Sequence, residues 1–236
     1  MPVLEVILVH LPATLLLMAS SITIAATLGI AAGAVAAVRV NTLWDNLLSF
    51  VAVFFFAAPS FWLGIMLTVL FSVKLGWLPV GGIATLGAEG GALSTAFDVL
   101  RHLLLPALTL GLFYAAVYAR VMRASMLEVL GQDFVRTARA KGLAPWLVIT
   151  RHVLRNALLP IVTLFGLQLG TVLGGSVVVE TVFSWPGIGS LLLDSVSSRN
   201  YPVVLGVLVF SALLVIVANI TVDLVYLRLD PRIRGR

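Results

Sequence analysis

The sequence contains no cysteine, and charged residues fill only 11% of its 236 positions. Without cysteine there is no disulfide framework, no thiolate metal site and no thiol nucleophile. The histidines His10, His102 and His152 stand alone, without the partners at i+3 or i+4 that a helical metal site needs, so no metal is expected. No Gly-rich loop ends in Gly-Lys-Ser/Thr, so the chain carries no nucleotide site and no cofactor is expected. Trp185-Pro186-Gly187-Ile188-Gly189 reads as a turn with no nucleophile elbow around it. A membrane-embedded enzyme would need paired acids, a Ser/His set or a metal set, and none is visible.

What the sequence has in excess is hydrocarbon. Apolar residues make up 61% of the chain and the mean hydropathy is +1.12, whereas soluble domains run at roughly 45–50% apolar and about 25% charged. A water-soluble fold of this size has too much surface to hide so much apolar material. The chain therefore belongs in a bilayer. A soluble enzyme, a DNA-binding domain and a disordered linker are excluded, and the net charge of +5 reads as membrane orientation rather than nucleic-acid binding.

A helix needs about 20 mostly apolar residues to cross the hydrocarbon core. Five stretches qualify, at 12–38, 47–73, 103–122, 158–180 and 203–227, and none alternates as a barrel strand would. The expected fold is an all-α polytopic bundle of five transmembrane helices. Pro12, Pro106, Pro160 and Pro202 sit at the starts of four stretches, where a missing N–H is harmless. Pro59 falls inside the second and should kink it. Ala25, Gly29, Gly33 and Ala37 form one small-residue stripe, and Gly166, Gly170 and Gly174 another. Such stripes let helices pack closely in lipid. Packing inside the bundle is the plain reading, with a subunit interface or a moving seam as the sharper ones.

Basic residues set the orientation. Arg39, the run Arg120, Arg123, Arg136, Arg139, Lys141, Arg151 and Arg155, and the tail residues Arg228, Arg232, Arg234 and Arg236 fall on one side; Lys74, Arg101 and Arg199 fall on the other. Positive-inside bias places 120–155 and the C-terminal tail in the cytoplasm and the N-terminal end outside. Ionisable groups within the spans are scarce. Glu180 and Asp223 lie near span ends, and Gln168 and Asn219 are neutral, either bonding between helices or lining a path. A secondary transporter or channel, the alternative reading, would need more such groups or a selectivity constriction.

The segment 120–155 is basic yet rich in apolar residues, so it is no solvated tail. Gly142 suits a left-handed position that stops one helix, and Pro145 suits the first turn of the next. The short helical piece would present Ala138, Leu143 and Trp146 outward. Lipid headgroups, plain positive-inside charge and docking of a partner protein all remain open from spacing alone.

The stretch Asp133-Phe134-Val135-Arg136-Thr137-Ala138-Arg139-Ala140-Lys141-Gly142-Leu143, followed by Arg151-His152 and Asn156-Ala157-Leu158-Leu159-Pro160, resembles the cytoplasmic signature of binding-protein-dependent ABC importer permeases. Arg136-Thr137-Ala138 stands where Glu-Ala-Ala is usual, a departure typical of the dipeptide, oligopeptide and nickel branch. Pro59-Ser60-Phe61-Trp62-Leu63-Gly64, Leu104-Leu105-Pro106-Ala107, Glu180-Thr181-Val182-Phe183-Ser184-Trp185-Pro186-Gly187-Ile188-Gly189, Asn200-Tyr201-Pro202-Val203-Val204 and Asp230-Pro231-Arg232 support it, so the likeness runs from about residue 3 to 234.

The resemblance implies a type I transmembrane subunit without its own ATPase site, in a bacterial or archaeal cytoplasmic membrane, importing peptides or a related solute such as nickel. It implies as partners a second permease subunit, two cytoplasmic ATPase subunits and an extracytoplasmic solute-binding protein. It makes 136–146 the coupling helix, with Arg136, Thr137, Ala138, Lys141, Gly142, Leu143, Pro145 and Trp146 meeting the ATPase. Loops 74–101 and 181–201 would meet the binding protein. Gln168, Glu180, Trp185, Pro186, Gly187 and Asn219 are the candidates for the pathway or its gate. The domain plan is a lead-in at 1–11, the transmembrane domain at 12–228 with a coupling region at 123–157, and a basic tail at 229–236. Peptide-branch members usually have six helices, and Met1-Pro2-Val3-Leu4-Glu5-Val6-Ile7 resembles the stretch before the family's second; the expectation is a chain lacking the family's first helix.

Overall fold

Apolar runs punctuated by proline and glycine become helices, and the chain has no strand among the described residues. The computed structural model describes residues 2–85, 87 and 91–229, with the backbone alone at 166–175, 218 and 222–229. The helices are α1 (Val3–Val38), α2 (Leu43–Ala57), α3 (Ser60–Lys74), α4 (Ala92–Leu130), α5 (Asp133–Ala140), α6 (Pro145–Ala157), α7 (Leu159–Val182), α8 (Ile188–Ser197) and α9 (Tyr201–Leu229). The end of α3 (Val69–Lys74) and the middle of α6 (Val148–Leu154) are wound as π-helix.

Among the described residues, three helices are long and apolar enough to cross a membrane: Val3–Val38, Ala92–Leu130 and Tyr201–Thr221. Two bent pairs meet the same test, α2 with α3 and α6 with Leu159–Phe165. At Pro59, where a kink was expected, the second stretch breaks outright into α2 and α3, bent by 105° with Ala58 extended between them. Pro160 and Pro202 lie in the first turns of α7 and α9. Pro12 and Pro106 do not behave as expected. Both lie inside long helices, and residues 3–11, read as a lead-in, are the first turns of α1. The apolar run simply begins before the proline. A proline inside a helix removes one hydrogen bond, but lipid-type helices tolerate it because neighbouring groups take up the freed carbonyl.

The chain divides into two compact units. The first comprises Met1–Ser21, Ser60–Leu110 and Gly166–Arg236. Its core packs Ile7 of α1, Ile188 of α8 and Val203 and Val207 of α9, with Val3, Leu11, Leu191 and Phe210 around them. The loop after α3 is tied to α4 by polar bonds. Asp98 accepts from the backbone N–H and hydroxyl of Thr85 at 2.6 and 2.9 Å, and Arg101 donates to the Trp77 carbonyl at 2.7 Å. His102 bonds the Asp98 carbonyl one turn back, and no metal-binding cluster occurs among the described residues.

The second unit comprises Ile22–Pro59 and Gly111–Phe165. Here the stripe of α1 meets α4: a Cβ on Gly29 would lie 2.6 Å from Tyr118 Cβ, and one on Gly33 would strike the Ala119 carbonyl. Ala25 and Ala37 on the same face are buried. The stripe is bundle packing, the closeness of two backbones that small residues allow. The stripe at 166–174 falls outside the described side chains. Across α2, Ala52 packs on Ala116 and Ala119, with Ala32 and Phe55 alongside.

Candidate functional site

The signature stretch from Asp133 to Pro160 folds as helix, turn, helix. Asp133 stands in the first turn of α5, where an acid favours the positive end of the helix. The helix stops because Gly142 takes φ +74°, a left-handed value that costs a side-chain-bearing residue about 1–2 kcal/mol. Its N–H donates to the Arg139 carbonyl at 2.9 Å, and the Leu143 N–H to the Ala138 carbonyl at 3.4 Å. These two bonds form a Schellman close. Pro145 then opens α6 at its first position.

α5 packs on the Val148–Leu154 part of α6. Val135 and Ala138, three residues apart on one face, are buried, as are Val148 and Val153. Ala138 was expected to point outward with Leu143 and Trp146, and it does not. At i+3 from Val135 it shares the inward face of an amphipathic helix. Leu143 is half-buried. Phe134, Arg136, Thr137, Lys141, Gly142 and Pro145 are exposed, and Trp146 stands 68% exposed at the head of α6. The outward surface is therefore cationic with a large indole at one end. The Arg136–Asp133 pair at 3.4 Å lies fully on that surface and adds little stability. Residues 136–146, which the resemblance makes the coupling element, comprise the end of α5, a turn at 141–144 and the head of α6, with the break at Gly142 and the start at Pro145 where the sequence placed them.

The second motif makes a buried node in the first unit. Glu180, near the end of α7, is completely buried. Its Oε1 accepts from the Thr14 hydroxyl at 3.1 Å, and its Oε2 accepts from the Ser190 N–H at 2.9 Å. Thr14 Oγ1 in turn accepts the Ile188 N–H at 2.7 Å. Together the carboxylate of α7 and the hydroxyl of α1 satisfy the free N–H groups at the start of α8, which a helix cannot satisfy itself. The Ser190 hydroxyl donates to the carbonyls of Trp185 and Gly187. A Cβ at Gly187 would overlap the Glu180 carboxylate, and one at Gly189 would come within 2.8 Å of Oε2. The two glycines leave the room that the carboxylate occupies.

Trp185 is also completely buried, and its indole N–H donates to the Ala13 carbonyl at 2.9 Å. The expectation that loop 181–201 presents Trp185 to a binding protein does not fit this burial: the indole is a strut between the turn and α1. Pro186 is half-buried. Glu180, Trp185 and Gly187 come together in the node. Asn219 is exposed on α9 and takes no part in these bonds, and Gln168 lies outside the described side chains.

Sequence reasoning missed Thr14 and Ser190, whose types are too common to stand out, and Asp45. Asp45 had a signal, being the sole acid between Glu5 and Glu89. It is buried and paired with Arg123, which had been counted only as an orienting charge.

Residues 29–235 match the family described as binding-protein-dependent transport system inner membrane component. The chain is 47% identical to the di/tripeptide transport system permease protein of Pseudomonas aeruginosa, over 94% of this chain and 70% of that protein. It is 45% identical to an oligopeptide transport system permease protein of Bacillus subtilis, over 98% of this chain and 72% of that one. It is 46% identical to the glutathione transport system permease protein of Escherichia coli, over 99% and 72%. A solved structure of the MetNI methionine ABC transporter, inward facing, shares the fold with a TM-score of 0.73 at 20% identity, covering 96% of this chain and 97% of that one. With its apolar helices, its missing nucleotide loop and a family match over most of its length, the chain belongs to the binding-protein-dependent transport system inner membrane components.

Proposed function

We propose that the chain is the permease subunit of a peptide importer driven by partner ATPases, working in the cytoplasmic membrane with a second permease subunit and an extracytoplasmic binding protein. The observation that carries this is the exposed surface of α5 and the start of α6, unused within the chain, on a protein whose relatives are peptide permeases. Trp146 and the cations around it form the surface that meets the ATPase. Movement of the ATPases shifts this element and, through α4 and α6, the bundle, biasing it between two packings. Five crossings, with 120–155 inside and 74–101 outside, agree with the three long helices, the two bent pairs and the distribution of arginine.

Two experiments test the reading. The subunit co-expressed with its permease partner, ATPases and binding protein should take up labelled di- or tripeptides in vesicles, with ATP consumed. Failure of every peptide, with uptake of another solute, would displace the substrate assignment. A reporter fused after residue 90 should read outside and one after residue 130 inside; the reverse pattern would overturn the orientation.

A further inference from the structure

Two arginines one turn apart on α4 have different fates. Arg123 is gripped by Asp45. Arg120, on a helix apolar enough to cross a membrane, has no ion-pair partner among the described residues, and neither has Glu128 two turns further on. Arg120 is held instead by an aromatic face: its guanidinium carbon stands 4.0 Å from the centroid of Phe56, which is itself stacked on Phe113 at 5.6 Å. A guanidinium over a ring can still offer its N–H edge, which matches a carboxylate with two parallel bonds.

The edge borders an open cleft of about 460 Å³ whose wall is Val117, Val121, Ala124, Ser125 and Pro160, with Arg120 and Glu128 at its ends. Small-molecule sites commonly measure about 300–1,000 Å³ and combine an apolar wall with a few polar groups. Arg120 and Glu128 are eight residues apart, about 12 Å along the helix axis. An extended peptide covers about 3.3–3.6 Å per residue, so that interval suits three to four residues. The cation at one end and the acid at the other complement a zwitterion.

We propose that this cleft binds the transported peptide in passage, with the peptide's terminal carboxylate on Arg120 and its terminal ammonium towards Glu128. This rests on the peptide-import reading above. The wall between them is mostly valine, alanine and proline, with Ser125 largely buried, so the cleft recognises chiefly the two termini and tolerates the sequence between them.

The test uses the assembled importer, both permease subunits with their ATPases, in detergent and without binding protein, so that recognition by the latter does not contribute. Equilibrium dialysis compares labelled trialanine with trialanine amide, which lacks the carboxylate. The wild type should bind trialanine about tenfold more tightly than the amide, as expected for a charge-assisted bond. Arg120→Gln should abolish this preference while leaving amide binding within about twofold. Arg120→Lys, which keeps the charge but not the planar fork, should retain a preference of about threefold. Glu128→Gln should weaken both ligands alike, since both carry the ammonium. If Arg120→Gln does not assemble, Arg120→Lys decides. A wild type without preference for the carboxylate, an undiminished preference in Arg120→Lys, or equal losses for both ligands in Arg120→Lys overturns the proposal; an undiminished preference would mean that charge alone acts there, as for an arginine reaching towards lipid headgroups. The same importer reconstituted into sealed vesicles, with binding protein added, checks the peptide reading separately by uptake.

Discussion

Arg123 holds Asp45 through two parallel bonds, Nε to Oδ1 at 2.6 Å and Nη2 to Oδ2 at 2.8 Å. The carboxylate also takes the Asn41 N–H at 2.9 Å and the Ser49 hydroxyl at 3.4 Å. Asp45 thus fixes the turn before α2, where Asn41 has φ +62°, and ties it to the helix that leads into α5. Asp45→Asn should lower stability by about 1–3 kcal/mol, because it leaves a half-buried guanidinium without its anion. Arg123→Gln should cost a similar amount, and the double variant clearly less than the sum. Thermal unfolding of the detergent-solubilised importer measures all three. Strict additivity would show that the pair is not coupled.

The Glu180 carboxylate fills the space beside Gly187 and Gly189. Gly187→Ala therefore forces the carboxylate, Thr14 or α8 to shift, and an overpacking cost of about 1–3 kcal/mol is expected. Gly91→Ala is the control, since a Cβ there meets nothing within 4 Å, and it should stay within about 0.5 kcal/mol. Glu180→Gln keeps the volume but must turn either an N–H towards the Ser190 N–H or lose the Thr14 bond. It should destabilise the node more than Thr14→Ser does. Melting temperatures in matched detergent decide the order.

Much of this architecture is written locally. The break at Pro59, the stop at Gly142 and the start at Pro145 follow from backbone chemistry that acts within a few residues, and all three lie where the sequence puts them. The stripe over Ala25–Ala37 likewise carries its reason in its spacing. Inward and outward faces were harder to read. Ala138 and Trp185 were read as outward, yet both are buried, because their orientation depends on α6 and α1, which are distant in the chain or separated by a turn. The polar bonds joining Thr14 to Glu180 and Asp45 to Arg123 cross 166 and 78 positions of sequence. No periodicity encodes such pairings. The starts of α1 and α4 were misplaced because proline was taken as an opening signal inside helices whose apolar runs had already begun.

Tyr118 is fully buried, and its hydroxyl finds no hydrogen-bond partner among the described residues. It sits against Gly29, where α1 and α4 approach most closely. A buried hydroxyl without a partner costs about 1–3 kcal/mol, so Tyr118→Phe should leave stability unchanged or raise it by up to about 1 kcal/mol. Tyr118→Ala should instead lower it by about 3–5 kcal/mol through the cavity it opens. A melting temperature lowered by the phenylalanine variant would mean that the hydroxyl has a partner in the assembled importer.

Trp146 and Ala138 lie in the same helix–turn–helix element but face opposite ways, so their variants should fail differently. Trp146 is exposed and touches little of its own chain, and a large indole at the centre of a docking surface commonly contributes about 2 kcal/mol or more to binding. Trp146→Ala should weaken ATPase binding by tenfold or more while the melting temperature of the isolated permease pair stays put. Ala138 is packed on the inner face of α5. Ala138→Asp would place a charge there without a partner, and its first effect should be a lower melting temperature. Gly142→Ala falls between the two: its Cβ meets nothing, but φ +74° strains it, so the turn should loosen and coupling fall with only about 1–2 kcal/mol lost in stability. Titrating purified ATPase against each solubilised variant, with unfolding measured in parallel, separates the two axes. If Trp146→Ala binds ATPase as the wild type does, the outward indole serves the lipid surface and the docking surface must be sought elsewhere on α5.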